Sequence, residues 1–143
     1  MADQELESVL NAYHLSLQYS CFWIGVVNRM NMEHFDFERV KEYFGGDAMI
    51  LQNFLSLLQK ELPKSLHELE QRFAEKDLKG IKDASHKLKG TGLSAGLGEL
   101  TGIASKLNRL DAFGQAHIGG LIEALRNEIA IILPLIEKAK NNF

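Results

Sequence analysis

The sequence predicts an all-α protein, an antiparallel up-down four-helix bundle with additional N-terminal helices. Apolar residues recur at i, i+3, i+4 and i+7 in several long stretches, the spacing that gives a helix one apolar face. The 143 residues include only two prolines and no run that alternates as a strand does. Most glycines fall in clusters between these stretches, so short connections are expected to join antiparallel helices.

The first 34 residues are predicted to form a helical extension before a bundle domain of residues 35–143. Residues 3–29 can form a helix, but apolar side chains cover all its faces around "CFWIGVV" (Cys21 to Val27), which indicates burial. Its apolar content argues against free disorder. The extension could pack on the bundle, pair two molecules, or result from an upstream start codon, and the sequence leaves these alternatives open.

The elements of the bundle domain follow from their caps and from the phase of their apolar residues. Asp36 is a suitable N-cap for a short helix over about 36–44. Asp47 caps a long helix that continues across Pro63, because the apolar spacing keeps its phase on both sides of the proline; one kinked helix is predicted. The apolar face of this helix consists of Leu51, Phe54, Leu55, Leu58, Leu62, Leu66, Leu69 and Phe73.

Three further helices complete the predicted bundle. Asp77 caps a helix that runs to about Ala95, where the glycines of "GLG" allow the chain to reverse. The next amphipathic stretch ends near "DAFG", and the last helix covers about 118–140 and includes Pro134. The apolar faces consist of Leu100, Ile103, Ala104, Leu107 and Leu110 in the former and of Ile122, Leu125, Ile129, Ile132 and Ile136 in the latter.

Composition and charge argue against several classes of protein. The net charge of −3 gives no global basic field of the kind that attracts nucleic acid or an anionic membrane. The segment "CFWIGVV" is far shorter than the roughly 20 residues of a membrane span, and the acidic start "MADQELE" lacks the basic region of a signal peptide. Cys21 is the single cysteine, so no intramolecular disulfide can form. A cytoplasmic protein without membrane insertion is expected.

The remaining titratable residues give no pattern of a metal site. His14, His34, His67 and His117 show no i, i+3 or i, i+4 pairing with one another, and the sequence has no Cys-His cluster. No metal site is therefore expected. The acidic residues of the helices are expected to form solvated faces.

One histidine lies among lysines in the segment "ASHKLKG". A wheel of about 100° per residue places His86 roughly 130° from the centre of the core stripe, so its imidazole is expected in solvent. A neutral exposed imidazole keeps a ring nitrogen available as a nucleophile, and the ammonium groups of Lys82 and Lys89 would stabilise an added phosphoryl group. Gly90 leaves bare backbone one turn later, where another protein could approach. The core stripe consists of Leu78, Ile81, Ser85, Leu88 and Gly92.

An ordinary surface histidine on a lysine-rich, solvated helix face would give the same local pattern. The spacing and charge of these residues alone leave both interpretations open.

The longer segment "ASHKLKGTGLSAGLGEL" resembles the signature of histidine-containing phosphotransfer (HPt) domains. In that family an acceptor histidine is followed after three residues by lysine and then directly by glycine, and a second glycine ends the helix. His86, Lys89, Gly90 and Gly96 match these positions. The resemblance extends over roughly residues 35–140, including "GGDAMILQNFLSLLQKELPKSLHELEQRFAEKD" upstream and "LTGIASKLNRLDAFG" downstream.

The resemblance implies a phosphorelay intermediate that carries a phosphoryl group on His86 between the aspartates of receiver domains. By the same resemblance, Lys89 steadies the phosphoryl oxygens and Gly90 makes room for the receiver. Lys87 has a supporting electrostatic role, and Asn108 stands at the position of the next helix from which a polar residue often assists.

The resemblance also implies the partners, which are response-regulator receiver domains and a hybrid sensor histidine kinase. Lys82 contributes positive field at the docking surface. Leu93 lies near the histidine face of the wheel, where it would contact a receiver or else pack against the N-terminal segment. No cofactor is expected, because the receiver would supply Mg²⁺. The sequence lacks an ATP-binding glycine-rich motif, so a carrier is expected rather than a kinase. The carrier is expected to be a monomer.

A second class of function is a helical bundle that binds a receiver or a kinase without being phosphorylated. Such a module has no need of a nucleophile at position 86, which favours the carrier. A stand-alone hydrolase or metal-dependent enzyme would need a second catalytic group, which the sequence does not show.

Overall fold

The computed structural model describes residues 33–142, which form five α-helices and no strand. They lie within one compact unit. The helix predicted over residues 3–29 lies outside the described residues, and the domain boundary after residue 34 stays a prediction. The helices are α1 (Phe37–Tyr43), α2 (Ala48–Ala74), α3 (Leu78–Ala95), α4 (Gly98–Asn108) and α5 (Gln115–Asn141).

Aspartate caps begin the first three helices, as the sequence predicts. The carboxylates of Asp36, Asp47 and Asp77 each accept a hydrogen bond from a backbone N–H of the following turn, at 2.9–3.3 Å. These N–H groups have no partner within their own helix, so each cap satisfies a donor that the helix leaves open. The starts of α1, α2 and α3 are therefore fixed by local sequence.

The helix α2 continues through Pro63 without interruption, which confirms the predicted single helix. Leu58 and Leu62 before the proline and Leu69 after it are all buried, so both halves of α2 contribute to one core. A proline inside a helix removes one backbone hydrogen bond, and burial of this continuous apolar face offsets that loss. Pro134 lies inside α5 in the same way.

Helices α2 to α5 enclose the core, and each packs against two of the others. Both α2 and α4 contact α3 and α5, while connections of three, two and six residues (75–77, 96–97 and 109–114) join the helices in order. Connections this short favour antiparallel neighbours. The predicted all-α bundle is confirmed, and every residue predicted for the apolar face of α5 is buried.

The helices α3 and α4 approach closely at Gly92. A Cβ atom at this position would overlap the Oγ1 atom of Thr101 and lie 3.1 Å from Cδ2 of Leu100. Leu100 is fully buried, and the Thr101 hydroxyl is held by donation to the Leu97 carbonyl at 2.7 Å. Gly92 therefore sets the separation between these two helices.

The segment that precedes α1 lies against the turn between α3 and α4. The Asp36 N–H donates to the Gly96 carbonyl at 2.8 Å, and a Cβ at Gly96 would lie 2.9 Å from the Asp36 carbonyl oxygen. A Cβ at Gly98 would lie 3.0 Å from the Glu33 carbonyl oxygen. Gly96, which ends α3 with a φ of +67°, thus serves both the turn and this close approach.

Glu128 of α5 corrects the expectation that acidic residues form only solvated faces. Its side chain is buried, and the Nδ1 atom of His34 lies 2.7 Å from both carboxylate oxygens. Sequence periodicity could not indicate this pair, because 94 residues separate its members. The pair joins the segment before α1 to the middle of α5.

Removing the imidazole of His34 is expected to destabilise the bundle, because Glu128 would remain buried without its partner. We expect His34→Ala to lower the free energy of unfolding by about 1–3 kcal/mol, measured by urea denaturation. The control is the double variant His34→Ala/Glu128→Leu, which removes both polar groups and should recover most of the loss. A single variant as stable as the wild type would contradict this role of the pair.

Candidate functional site

His86 lies in the middle of α3 with its side chain exposed, as the helical wheel predicts. The residues beside it on the core face are buried, including Leu88 and Ser85, whose hydroxyl donates to the Ile81 carbonyl at 2.6 Å. The core face therefore holds α3 in place while the imidazole points outward. A ring nitrogen of His86 is accessible to a partner protein.

Four lysines of α3 surround this imidazole along the helix. Lys79 and Lys87 are exposed, and Lys82 and Lys89 are half-buried. Within residues 33–142, none of the four forms an ion pair with a carboxylate. Their ammonium groups can therefore turn to an incoming anion, and hydrogen bonds from ammonium to phosphate oxygens are stronger than neutral ones.

Gly90 is exposed one turn after His86, and nothing in the described structure requires it to be glycine. A Cβ atom built there meets no atom within 4 Å, in contrast to the crowded surroundings of Gly92. Glycine in a helix interior costs about 1 kcal/mol relative to alanine. The hydroxyls of Thr91 and Ser94 donate to backbone carbonyls of α3, so these two short side chains lie against their own helix. The open space favours close approach by another molecule.

An apolar groove between α2 and α3 reaches Gly90. Leu57 is 56% exposed beside it, and Leu93, the predicted docking residue, is 53% exposed on α3. Leu57 was missed because it lies outside the regular apolar spacing of α2; the additional leucine in "NFLSLLQ" was the available signal. The residues that line the groove are Phe54, Leu57, Leu58, Glu61, Gly90, Thr91 and Ser94.

Asn108 is the last residue of α4, and its side chain contacts the backbone of α3. Its Nδ2 atom donates to the Lys82 carbonyl oxygen at 3.1 Å, across 26 residues of sequence. The structure thus brings Asn108 to the turn of α3 that precedes His86. All seven residues predicted for the site lie on α3 or at this end of α4.

His117 shares several features with His86 and is its natural control. It is exposed near the start of α5, Gly120 follows three residues later with open space at its Cβ position, and Lys106 and Arg109 line the adjoining groove. The two sites differ because no lysine occupies the third position after His117. Exposure and nearby charge alone therefore do not single out one histidine.

Two further findings concern the described part of the chain. Its histidine, aspartate and glutamate side chains form no group of three or more that could hold a metal ion. Between residues 33 and 142, no helix combines the length and apolarity that a bilayer span requires.

The part of the chain that the structure describes is a helical bundle with an exposed histidine among lysines that have no carboxylate partner there, beside bare helix backbone. This arrangement has the features of a phosphoryl-group carrier. The family model of the Hpt domain matches residues 53–133, which are 81 of the 143 residues. This chain therefore belongs to the Hpt domain family, whose members are histidine phosphotransfer carriers of phosphorelays and not kinases. Comparisons with curated proteins and with solved structures find no match. The matched segment contains all seven predicted site residues.

Proposed function

We propose that His86 carries a phosphoryl group between the aspartates of receiver domains. The observation that carries this proposal is the open space at Gly90, one turn from the exposed imidazole. A receiver must bring its aspartate within bonding distance of a ring nitrogen, and a side chain at position 90 would stand in its way. The lysines of α3, which form no ion pair with a carboxylate of residues 33–142, support the same assignment.

In the forward step, a ring nitrogen of His86 attacks the phosphorus of an aspartyl phosphate on the receiver. The N–P bond forms as the P–O bond to the aspartate breaks, and the carboxylate leaves with the electron pair. The other ring nitrogen keeps its proton. The reverse of this step delivers the phosphoryl group to the aspartate of a second receiver.

Phosphoryl transfer depends mainly on positioning and on stabilisation of the charge of the transferring group. Lys89 is half-buried, so part of its side chain is held against the bundle while its ammonium group can reach the anion. Lys82 and Lys87 add positive field. Mg²⁺ would be supplied by the receiver, whose acidic site complements this basic helix face.

The apolar surface near Gly90 would contribute to docking. Leu57 and Leu93 present exposed side chains from α2 and α3, and a partner that covers His86 with a contact of ordinary size would cover them as well. Burial of apolar side chains at the centre of a contact contributes affinity, and surrounding charges guide the approach.

Incubation of the protein with a receiver that carries a labelled aspartyl phosphate, in the presence of Mg²⁺, tests this function. Label should move to the protein in a form that is labile in acid and stable in base, and a second unlabelled receiver should then take it up. Receiver binding without any transfer of label would contradict the proposal and favour a non-phosphorylated binding module.

Lys89→Ala is expected to slow transfer or to shorten the lifetime of the phosphohistidine. Loss of one ammonium contact of about 1 kcal/mol corresponds to a change of about fivefold in rate. Lys79→Ala on the same helix is the matched control, because it removes the same charge from an exposed position two turns before His86, farther from the imidazole than Lys89. Both variants should be followed by the decay of label after removal of the receiver. Equal behaviour of the two variants would contradict the role of Lys89.

A further inference from the structure

The hydrogen bond from Asn108 to the Lys82 carbonyl has a particular place in α3. In an α-helix each N–H donates to the carbonyl four residues earlier, so the Lys82 carbonyl is the acceptor for the backbone N–H of His86. A carbonyl oxygen has two lone pairs and can accept both bonds. One oxygen therefore joins the end of α4 to the peptide group of His86.

A second contact fixes α3 against α4 on the other side of His86. Gly92 lies against Thr101 and Leu100, with no space for a side chain. His86 thus lies between two points at which the backbone of α3 is held to α4. Because its imidazole is exposed, the core does not pack around the ring, and the position of the ring depends strongly on the backbone that carries it.

We infer that Asn108 is a positioning residue for phosphoryl transfer, acting through the Lys82 carbonyl on the backbone of His86. This inference rests on the proposed function of His86. Transfer requires the attacking nitrogen to lie in line with the breaking P–O bond, and displacement of a reacting group by about 1 Å can cost on the order of 100-fold in rate. A bond one turn before His86 limits such displacement of α3 relative to α4.

Two measurements separate this role from direct contact with the phosphoryl group. The Asn108 amide nitrogen donates to the Lys82 carbonyl at 3.1 Å, so one of its two N–H groups is engaged by the backbone of α3. A group acting through backbone should affect the rate of transfer without affecting the stability of phosphohistidine once formed. A group that touches the phosphoryl oxygens should affect both.

The test compares Asn108→Leu, which has similar size and no donor, with Gln59→Leu. Gln59 is a matched control, because it forms side-chain hydrogen bonds between α2 and α5, to Glu137 at 2.6 Å and Lys140 at 2.9 Å. For Asn108→Leu we expect kcat of transfer from a phosphorylated receiver to fall about tenfold. We expect KM for the receiver and the lifetime of phosphohistidine to stay unchanged, and Gln59→Leu should leave all three values at the wild-type level.

Amide hydrogen exchange gives a readout that does not depend on phosphorylation. In Asn108→Leu, exchange at the His86 amide should accelerate about fivefold relative to the α3 amides near Gly92, and in Gln59→Leu it should not change. Unchanged exchange at His86, unchanged kcat, a shortened phosphohistidine lifetime, or an equal loss of kcat in both variants would overturn the positioning role. Absence of label on His86 in the wild type would refute the proposed function, whereas the exchange result would still decide whether Asn108 holds this backbone.

Discussion

Replacement of His86 by glutamine is expected to abolish acceptance of the phosphoryl group, with labelling at least about 100-fold below the wild type. Glutamine is similar in size, but its side-chain amide nitrogen has no nucleophilic lone pair. Because position 86 is exposed, the free energy of unfolding should change by no more than about 0.5 kcal/mol. Labelling by a phosphorylated receiver in Mg²⁺ measures the first effect, and urea denaturation measures the second.

The matched controls for this variant are His67→Gln and His117→Gln. Both histidines are exposed, and His117 also has a glycine three residues later and basic residues nearby. Both control variants should accept label at the wild-type rate. Loss of labelling in His117→Gln together with normal labelling of His86→Gln would assign the acceptor to α5 instead.

Gly90→Glu is expected to impair transfer by about 100-fold or more while leaving the bundle folded. The space at its Cβ position is open within the protein, so the new side chain meets no clash and replaces glycine by a better helix former. In the complex, the same side chain would occupy the space of the receiver and bring a negative charge towards its acidic site. The loss should appear mainly as a higher KM for the receiver.

Two further variants make this prediction specific. Gly90→Ala should raise the free energy of unfolding by about 1 kcal/mol, because alanine favours the helix over glycine. It should still slow transfer, because the added methyl group would hold the receiver farther from the backbone of α3. Gly102→Glu of α4 is the matched control, since its Cβ position is also open, and it should gain stability without losing transfer. Normal transfer by Gly90→Glu would contradict close approach of the receiver at this turn.

Local patterns in the sequence were sufficient to predict the helices found in residues 33–142 and the exposure of His86. The caps Asp36, Asp47 and Asp77 act on N–H groups within the next three residues, so each depends only on neighbouring sequence. Likewise, the direction of His86 follows from the periodicity of α3 alone. Continuity of the apolar phase across Pro63 indicated one helix, because burial of that face acts on both halves.

Contacts between distant residues could not be predicted in this way. Neither member of the buried pair of His34 and Glu128 belongs to a local motif, so each resembles an ordinary polar residue when only its neighbours in sequence are considered. Asn108 was placed near the site by family resemblance, but its bond to the Lys82 carbonyl depends on the register of α3 against α4. That register is set by packing at Gly92, where the helices approach closely.

The roles of the glycines also divide into those that local sequence predicts and those that depend on tertiary contacts. The cluster around Gly96 and Gly98 was expected to reverse the chain, and Gly96 does so with a φ of +67°. Its further role, close approach of the segment before α1, depends on residues more than 50 positions away in sequence. By contrast, no contact within the described structure requires glycine at position 90. Its proposed role is contact with a partner, so only experiments with a partner can test it.

The most direct measurement is the location of the phosphoryl group on the wild-type protein after transfer from a receiver. Mass spectrometry of peptides prepared at alkaline pH, together with ³¹P NMR of the intact protein, reports both the residue and the bond. We expect a single N–P bond on the imidazole of His86, which is lost when an unlabelled receiver and Mg²⁺ are added. A phosphoryl group on any other residue, or none at all while the receiver binds, would contradict the proposed function.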